Sequence, residues 1–175
     1  MYIIRKALHS DVDKILDVLN SVLLQNLPSK NNGFLTYNPG KRFYKKLIEI
    51  ADFVYVVCYK KDIIGFLVAY PSSMLNPKDE IQKFLINHYK KEEFIYIFQL
   101  AVTPKYHRNG IGKKLYKQLF MDAKKIKKIV VTSAVPYNRA SEKFNLILGF
   151  TKKGKILRSD GGSNFVYENI KNYIR

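Results

Sequence analysis

Apolar residues in this chain recur at two spacings, and the switches between them set out an order of elements. Residues 2–6 form a short β-rich run. Ser10 or Asp11 is placed to cap a helix running to about Leu24, with Val12, Ile15, Leu16, Leu19, Val22 and Leu23 as its apolar face. Pro28, Asn31-Asn32-Gly33 and Asn38-Pro39-Gly40 mark a loop, after which Phe43, Leu47, Ile48 and Ile50 predict a second helix over about 40–50. The β-rich runs 53–59 and 63–70 flank Lys60-Lys61-Asp62, a connection short enough for a hairpin of antiparallel strands. Residues 71–77 interrupt the pattern, and Ile81, Phe84, Leu85 and Tyr89 then share one face of an inserted helix within 78–91, placed to shape a substrate pocket. Residues 94–102 read as a strand, 107–112 as a turn and 111–123 as a helix with Leu115, Leu119 and Phe120 inward. A strongly β segment follows at 129–135, then a helix from Asn138 to Gly149. Residues 150–157 pair with 165–168 across Asp160-Gly161-Gly162.

The chain's 175 residues fit one domain, 1–175, and its 47% hydrophobic content, arranged in short periodic runs, is enough to offset the entropy of folding. No apolar run approaches the roughly 18 residues that cross a bilayer, and the first residues lack a signal-peptide core, so a cytoplasmic location without membrane contact is expected. Cys58 is the single cysteine. It excludes an intrachain disulfide, offers no paired zinc spacing and sits in the run 53–59, where cysteine behaves as a small hydrophobe; no metal site is expected. The formal net charge of +17 raises the question of nucleic acid. Yet the basic residues are mostly lysine in a composition rich in Ile, Asn, Tyr and Phe. No zinc spacing, helix-turn-helix pattern or RNA-binding sheet motif accompanies them. A solvated basic surface that also favours anionic ligands is the expected reading, and nucleic acid is not an expected partner.

The candidate chemistry lies between residues 95 and 115, where the strand ending Leu100-Ala101-Val102 is followed by His107-Arg108-Asn109-Gly110-Ile111-Gly112-Lys113-Lys114. Gly110 and Gly112 lack Cβ atoms, so the chain can turn tightly and a ligand can approach the backbone as it enters a helix. The first turn of that helix has unpaired N–H groups and a partial positive charge, a setting for a pyrophosphate, and Arg108, Lys113 and Lys114 add charge. A dinucleotide fingerprint is disfavoured because Leu115 stands where its third glycine belongs, and the ending of a P-loop is absent.

With its Leu-Ala-Val strand end and the spacing His107, two residues, Gly110, one residue, Gly112, the chain resembles the GNAT superfamily of N-acetyltransferases. A second block, Asn138-Arg139-Ala140-Ser141-Glu142-Lys143-Phe144-Asn145-Leu146-Ile147-Leu148-Gly149-Phe150, resembles that family's Asn, Ala or Ser, Phe and terminal Gly-Phe pattern. The resemblance implies an α+β, three-layer α/β/α fold. Its mixed, mostly antiparallel sheet would have about seven strands, splayed at the centre, with about four to five helices around it. It implies acetyl-coenzyme A as cosubstrate. Backbone groups of Leu100, Ala101 and Val102 would hold the pantetheine arm, amides from Arg108 through Asn109, Gly110, Ile111, Gly112 and Lys113 the pyrophosphate, with His107 at the position of the family's side-chain contact, and Asn138, Ser141 and Phe144 the far side of the arm. Helix capping for Asn138 and core packing for Phe144 stand beside those roles.

The implied activity is transfer of an acetyl group to a primary amine of a small molecule or protein, by direct attack in a ternary complex. The alternative is a noncatalytic acyl-coenzyme A sensor, and a homodimer stays open as the oligomeric form. The chain departs from the family pattern twice. His107 takes the Arg or Gln position, and Asn145, which cannot act as a general acid, takes the place of the tyrosine that many members carry. Tyr137 is a candidate acid in its stead, and Gln99 a candidate for orienting a water, with Glu92 and Glu93 as other candidate bases.

Overall fold

The computed structural model describes residues 1–28, 33–123, 125–126, 128–134 and 138–170. Along them run β1 (Tyr2–Lys6), α1 (Val12–Val22), α2 (Lys41–Ile50), β2 (Phe53–Tyr59), β3 (Asp62–Pro71), α3 (Glu80–Tyr89), β4 (Phe94–Val102), α4 (Ile111–Asp122), β5 (Lys128–Ala134), α5 (Arg139–Ile147), β6 (Thr151–Leu157) and β7 (Ser163–Ile170). The strands form one sheet in the order β1-β2-β3-β4-β5-β7-β6. Only β4 and β5 are parallel; the other neighbours are antiparallel. The fold is α+β in three layers, as the family resemblance implies.

Two apolar clusters explain the layering. One face of the sheet packs Val54, Val56, Phe66, Val68, Phe94 and Tyr96 against Ile15 and Leu19 of α1, Tyr44 and Leu47 of α2, and Leu85 and Tyr89 of α3. The other packs Val57, Leu67, Ile95, Ile97, Ile129 and Val131 against Ile111, Leu115 and Leu119 of α4, with Phe144 of α5 alongside. Because alternate residues of a strand face opposite sides, β2, β3 and β4 feed both clusters and read as continuous apolar runs. Cys58 lies at the end of β2 as a free thiol. The edge strands carry charge instead. Lys152, Lys153 and Lys155 of β6 are all exposed, which discourages another chain from pairing there.

Tertiary contacts trim α1 at both ends. Asp11 does not cap it: its carboxylate accepts the Leu8 amide at 2.7 Å and two Arg5 guanidinium hydrogens at 2.6 and 2.9 Å, which builds a short 3-10 turn over His9–Asp11. At the other end Leu23 is extended. Leu24 N–H donates to the Leu35 carbonyl at 2.8 Å and Leu35 N–H to the Val22 carbonyl at 3.0 Å, so the chain returning from the loop lies along the end of the helix.

Arg5 first, and then the Leu8 amide, hold the Asp11 carboxyl below its ordinary 3.8. A carboxyl depressed in the folded state stabilises above its unfolded value, and that contribution is lost as pH falls through the lower folded value. Asp11→Asn is therefore expected to cost about 1–2 kcal/mol near neutral pH, at the lower end because Arg5 is partly exposed. Urea denaturation should show the gap from wild type closing as pH falls below 3.8; a gap that does not change with pH contradicts this account.

Candidate functional site

The site begins with one extra residue in β4. Val68 of β3 pairs with Gln99 while the next residue, Ala69, pairs with Ile97, so Phe98 is bulged out of the ladder. Such a bulge bends its strand and reverses the facing of everything beyond it. Phe98 and Gln99 consequently lie toward the same helical layer: the Phe98 ring packs tilted against Phe43 with centroids 5.2 Å apart, and Gln99 bonds to Tyr44 of α2. The parallel pairing of β4 with β5 stops at Ile97 and Val131, one residue before the bulge. Beyond that point the two central strands part.

The parting leaves main-chain groups facing a gap. Thr103 N–H donates to the Ile64 carbonyl at 2.8 Å, which fixes the hydrogen-bonding phase of the β3–β4 ladder. By the alternation of an antiparallel pair, Ala101 turns its N–H and C=O toward β3, while Leu100 and Val102 turn theirs away from it. The Val102 carbonyl is taken by the His107 ring, whose Nε2–H donates to it at 2.6 Å. Leu100 N–H and C=O and Val102 N–H face the gap.

The turn into α4 is the second wall. Arg108 at φ 62° and Gly110 at φ 71° are both left-handed. Glycine takes that conformation freely; Arg108 is strained there by about 1 kcal/mol. The Asn109 side chain braces the turn by donating to the carbonyls of Tyr106 and His107, each at 3.2 Å. The first bond closing the helix is Lys114 N–H to the Gly110 carbonyl at 3.0 Å, which leaves the amides of Ile111, Gly112 and Lys113 without an intrahelical acceptor. The two glycines do different work. Gly110 has open space where a Cβ would stand, whereas a Cβ on Gly112 would come 2.9 Å from Phe144 Cζ. Gly112 is thus the seat of the Phe144 ring, a packing role in addition to the bare backbone expected from the sequence.

The third wall is α5 with a strap from the loop between α1 and α2. Asn138 caps α5, its Oδ1 accepting Ser141 N–H at 3.0 Å, and its Nδ2 donates to the Phe34 carbonyl at 2.8 Å. Gln99 pins the same strap further along: its Nε2 donates to the Tyr37 carbonyl at 2.8 Å, while its Oε1 accepts the Tyr44 hydroxyl. Residues 104, 62 and 55 apart in sequence meet in these bonds, so no local pattern foretells them.

Together the walls enclose a cleft of about 790 Å³. Among the described residues it is lined by Phe34, Phe98, Gln99, Leu100, Ala101, Val102, His107, Arg108, Gly110, Ile111, Gly112, Lys113, Asn138, Ser141 and Phe144. Arg108, Lys113, Arg139 and Lys143 contribute cations, and no carboxylate lines the cleft among the described residues. Its field favours an anion. Asn109 sits in the turn as a brace, Tyr137 lies outside the described residues, and Glu92 and Glu93 are not in the lining. Glu92 instead pairs with Lys128 near the start of β4. Burial, and then Tyr37, raises the pKa of the Tyr44 phenol, and burial pushes Tyr96, bonded to Thr132 at 3.0 Å, up to about 12; both are neutral near pH 7. Tyr116, buried on α4 with its hydroxyl 3.3 Å from Asn145 Oδ1, was not anticipated as a site residue. Its partner lies 29 residues away on another helix, so no local pattern pointed to it.

Residues 20–150 match the family model described as the Acetyltransferase (GNAT) family. The fold is similar to that of the ribosomal-protein-S18-alanine N-acetyltransferase from Escherichia coli, at 12% identity and TM-score 0.66, covering 97% of this chain and 94% of that one. It is similar to an N-acetyltransferase from Staphylococcus aureus Mu50 at 17% identity and TM-score 0.68, covering 98% and 99%. It also resembles the Drosophila melanogaster polyamine N acetyltransferase that forms N-acetylagmatine, at 14% identity and TM-score 0.68, covering 97% and 100%. No curated protein sequence matches the chain.

Asn138→Ala removes a helix cap and the partner of a buried carbonyl, and is expected to cost about 1–2 kcal/mol. Hydrogen exchange should then quicken at the Ser141 and Leu35 amides together; quickening at Ser141 alone would mean that the strap holds without Asn138.

Proposed function

The chain belongs to the acetyltransferase (GNAT) family, and from that premise we propose that it transfers an acetyl group from acetyl-coenzyme A to a primary amine of a small molecule or protein, by direct attack in a ternary complex. The observation that carries the reading is the pairing of two sets of open main-chain donors across one cleft. Leu100 and Val102 face the gap on one side, and the turn from Arg108 into the first residues of α4, Ile111 to Lys113, lies on the other. Buried or ligand-facing amides need acceptors, and an extended chain with peptide-like amides followed by a pyrophosphate offers them in that order.

In this reading the amides of Arg108 to Lys113 hold the pyrophosphate, assisted by the Arg108 and Lys113 side chains, and Leu100 and Val102 pair with the pantetheine arm as an added strand would. His107 and Asn109 act through the turn, keeping its amides aimed, since their side chains are already bonded to carbonyls. Ala101 is left with packing, and Gln99 and Asn138 with holding the strap that closes the cleft; Ser141 and Phe144 line the arm's far side. When bound, the cosubstrate supplies an activated acyl carbonyl. A gap-facing N–H of β4 stabilises the negative charge that develops on its oxygen, a kind of contact whose removal elsewhere costs about 3 kcal/mol. Direct attack requires no covalent acyl bond to a residue of the chain, because positioning can supply much of the acceleration. Solved relatives of this fold include enzymes for protein and polyamine acceptors, so both remain within the proposed acceptor class.

Isothermal calorimetry with coenzyme A tests the reading. Wild type is expected to bind, and Gly110→Trp, whose side chain enters space that is empty in the turn, to bind at least tenfold more weakly while keeping its circular dichroism. Undiminished binding by a folded variant would count against the assignment. Thiol release from acetyl-coenzyme A across an amine panel, with products weighed by mass spectrometry, separates transfer from binding alone.

A further inference from the structure

An acceptor amine enters the cleft as an ammonium or as a free base, and the lining decides which. Beside the strap the wall is apolar, formed by Val22, Phe34, Leu35 and Phe98. The charges along the rest of it are the four cations, with no carboxylate among the described residues, so an ammonium meets repulsion and no counter-ion. Residues 29–32, 124, 127, 135–137 and 171–175, outside the described residues, include no Asp, Glu or His. The carboxylates at the start of α3 and in β7 are engaged: Asp79 accepts Gln82 N–H at 2.9 Å, Glu80 accepts Ser159 N–H at 2.7 Å, and Glu168 lies 3.5 and 3.7 Å from Lys128 and Lys153. His107 is the one histidine in the lining among the described residues, and its ring is tied to the Val102 carbonyl in the turn into α4. Gln99 is a carboxamide and takes no proton near neutral pH. Of the phenols, Tyr106 packs its ring against Tyr59, burial raises Tyr116, and burial first, with Asp79 adding to it, pushes Tyr96 up to about 12. A phenol raised in this way stays protonated near pH 7 and is no base there.

We propose that this chain acetylates the α-amino group of a peptide, admitted to the cleft in its neutral form, in preference to the side-chain amine of lysine or an aliphatic polyamine. The inference rests on the acetyl-coenzyme A reading above and narrows its acceptor. An α-amino group titrates near pH ~8 and a lysine amine near pH ~10.4, so close to pH 7 the first is neutral about 300 times more often. A site that offers an ammonium neither a counter-ion nor a base selects on that difference. An apolar first side chain on the peptide suits the wall beside the strap. The ammonium proton goes to solvent as the amine enters. The nitrogen lone pair then forms the C–N bond, and the C–S bond breaks with its electron pair going to sulfur. The proton left in surplus on nitrogen passes to water, and the thiolate takes one from water.

The test uses wild-type protein and three acceptors: a lysine-free peptide with a free α-amino group and an apolar first residue, the same peptide blocked at its α-amino group and given one lysine, and an aliphatic diamine. Calorimetry of the first peptide binding to the coenzyme A complex at pH 7, repeated in buffers of different ionisation enthalpy, should show close to one proton released per peptide bound. Thiol release from acetyl-coenzyme A should give kcat/KM about tenfold or more higher for the α-amino peptide than for the other two at pH 7. Each profile should rise with pH and level off at the amine's own ionisation, near pH ~8 for the α-amino group and above pH ~10 for lysine. Binding without proton release, preference for lysine or the diamine, or one levelling point shared by all three amines overturns the inference and leaves the transfer reading intact. A shared limb near pH ~6.5 would assign the proton to His107 and overturns it likewise. Turnover of no amine by protein that binds coenzyme A overturns the transfer reading and this inference with it, and failure to bind coenzyme A overturns the cofactor reading as well.

Discussion

A single bulged residue organises the molecule. Phe98 breaks the period of β4, and with it the parallel ladder to β5, so two central strands that pair through Ile97 and Val131 separate immediately afterwards. A sheet that opens at its centre exposes main-chain donors and acceptors that every neighbouring strand would otherwise satisfy. The same insertion turns Phe98 and Gln99 to one face, where they meet Phe43 and Tyr44 of α2. Packing therefore holds the opening open: closing it would require pulling an aromatic pair and a buried hydrogen bond apart.

The polar residues around this opening divide by what their side chains already do. His107, Asn109, Gln99 and Asn138 each bond to a backbone carbonyl, and each such bond fixes the path of a turn or strap. What they leave facing the cleft is main chain, at Leu100, Val102 and the start of α4. That division suits recognition of a carrier common to many reactions, because backbone amides read a pyrophosphate or a peptide-like arm without depending on side-chain identity. It also accounts for how His107 stands where the family pattern has Arg or Gln: a ring that reaches the Val102 carbonyl ties the turn to the strand end.

The large positive charge has two structural outlets. Arg108, Lys113, Arg139 and Lys143 concentrate part of it on the cleft, while the lysines of β6 guard a sheet edge. The first favours entry of an anionic ligand, and the second keeps an unpaired strand from recruiting another chain.

The order of elements, the sheet-rich centre, the turn at 107–112 and the helix begun by Asn138 were legible along the sequence, because period, glycine placement and capping chemistry act over a few residues and leave local marks. Gly110 is such a mark, since its left-handed backbone is a property of the turn itself. The bulge at Phe98, the Phe144 ring lodged on Gly112, the two pins on the strap and the Tyr116–Asn145 pair left none, because each joins elements that only the packed sheet brings together. Asn145 shows the difference most plainly. The family resemblance tells which group is missing from its position, whereas its burial and its bond to the Tyr116 hydroxyl are decided by the packing of α5 against α4.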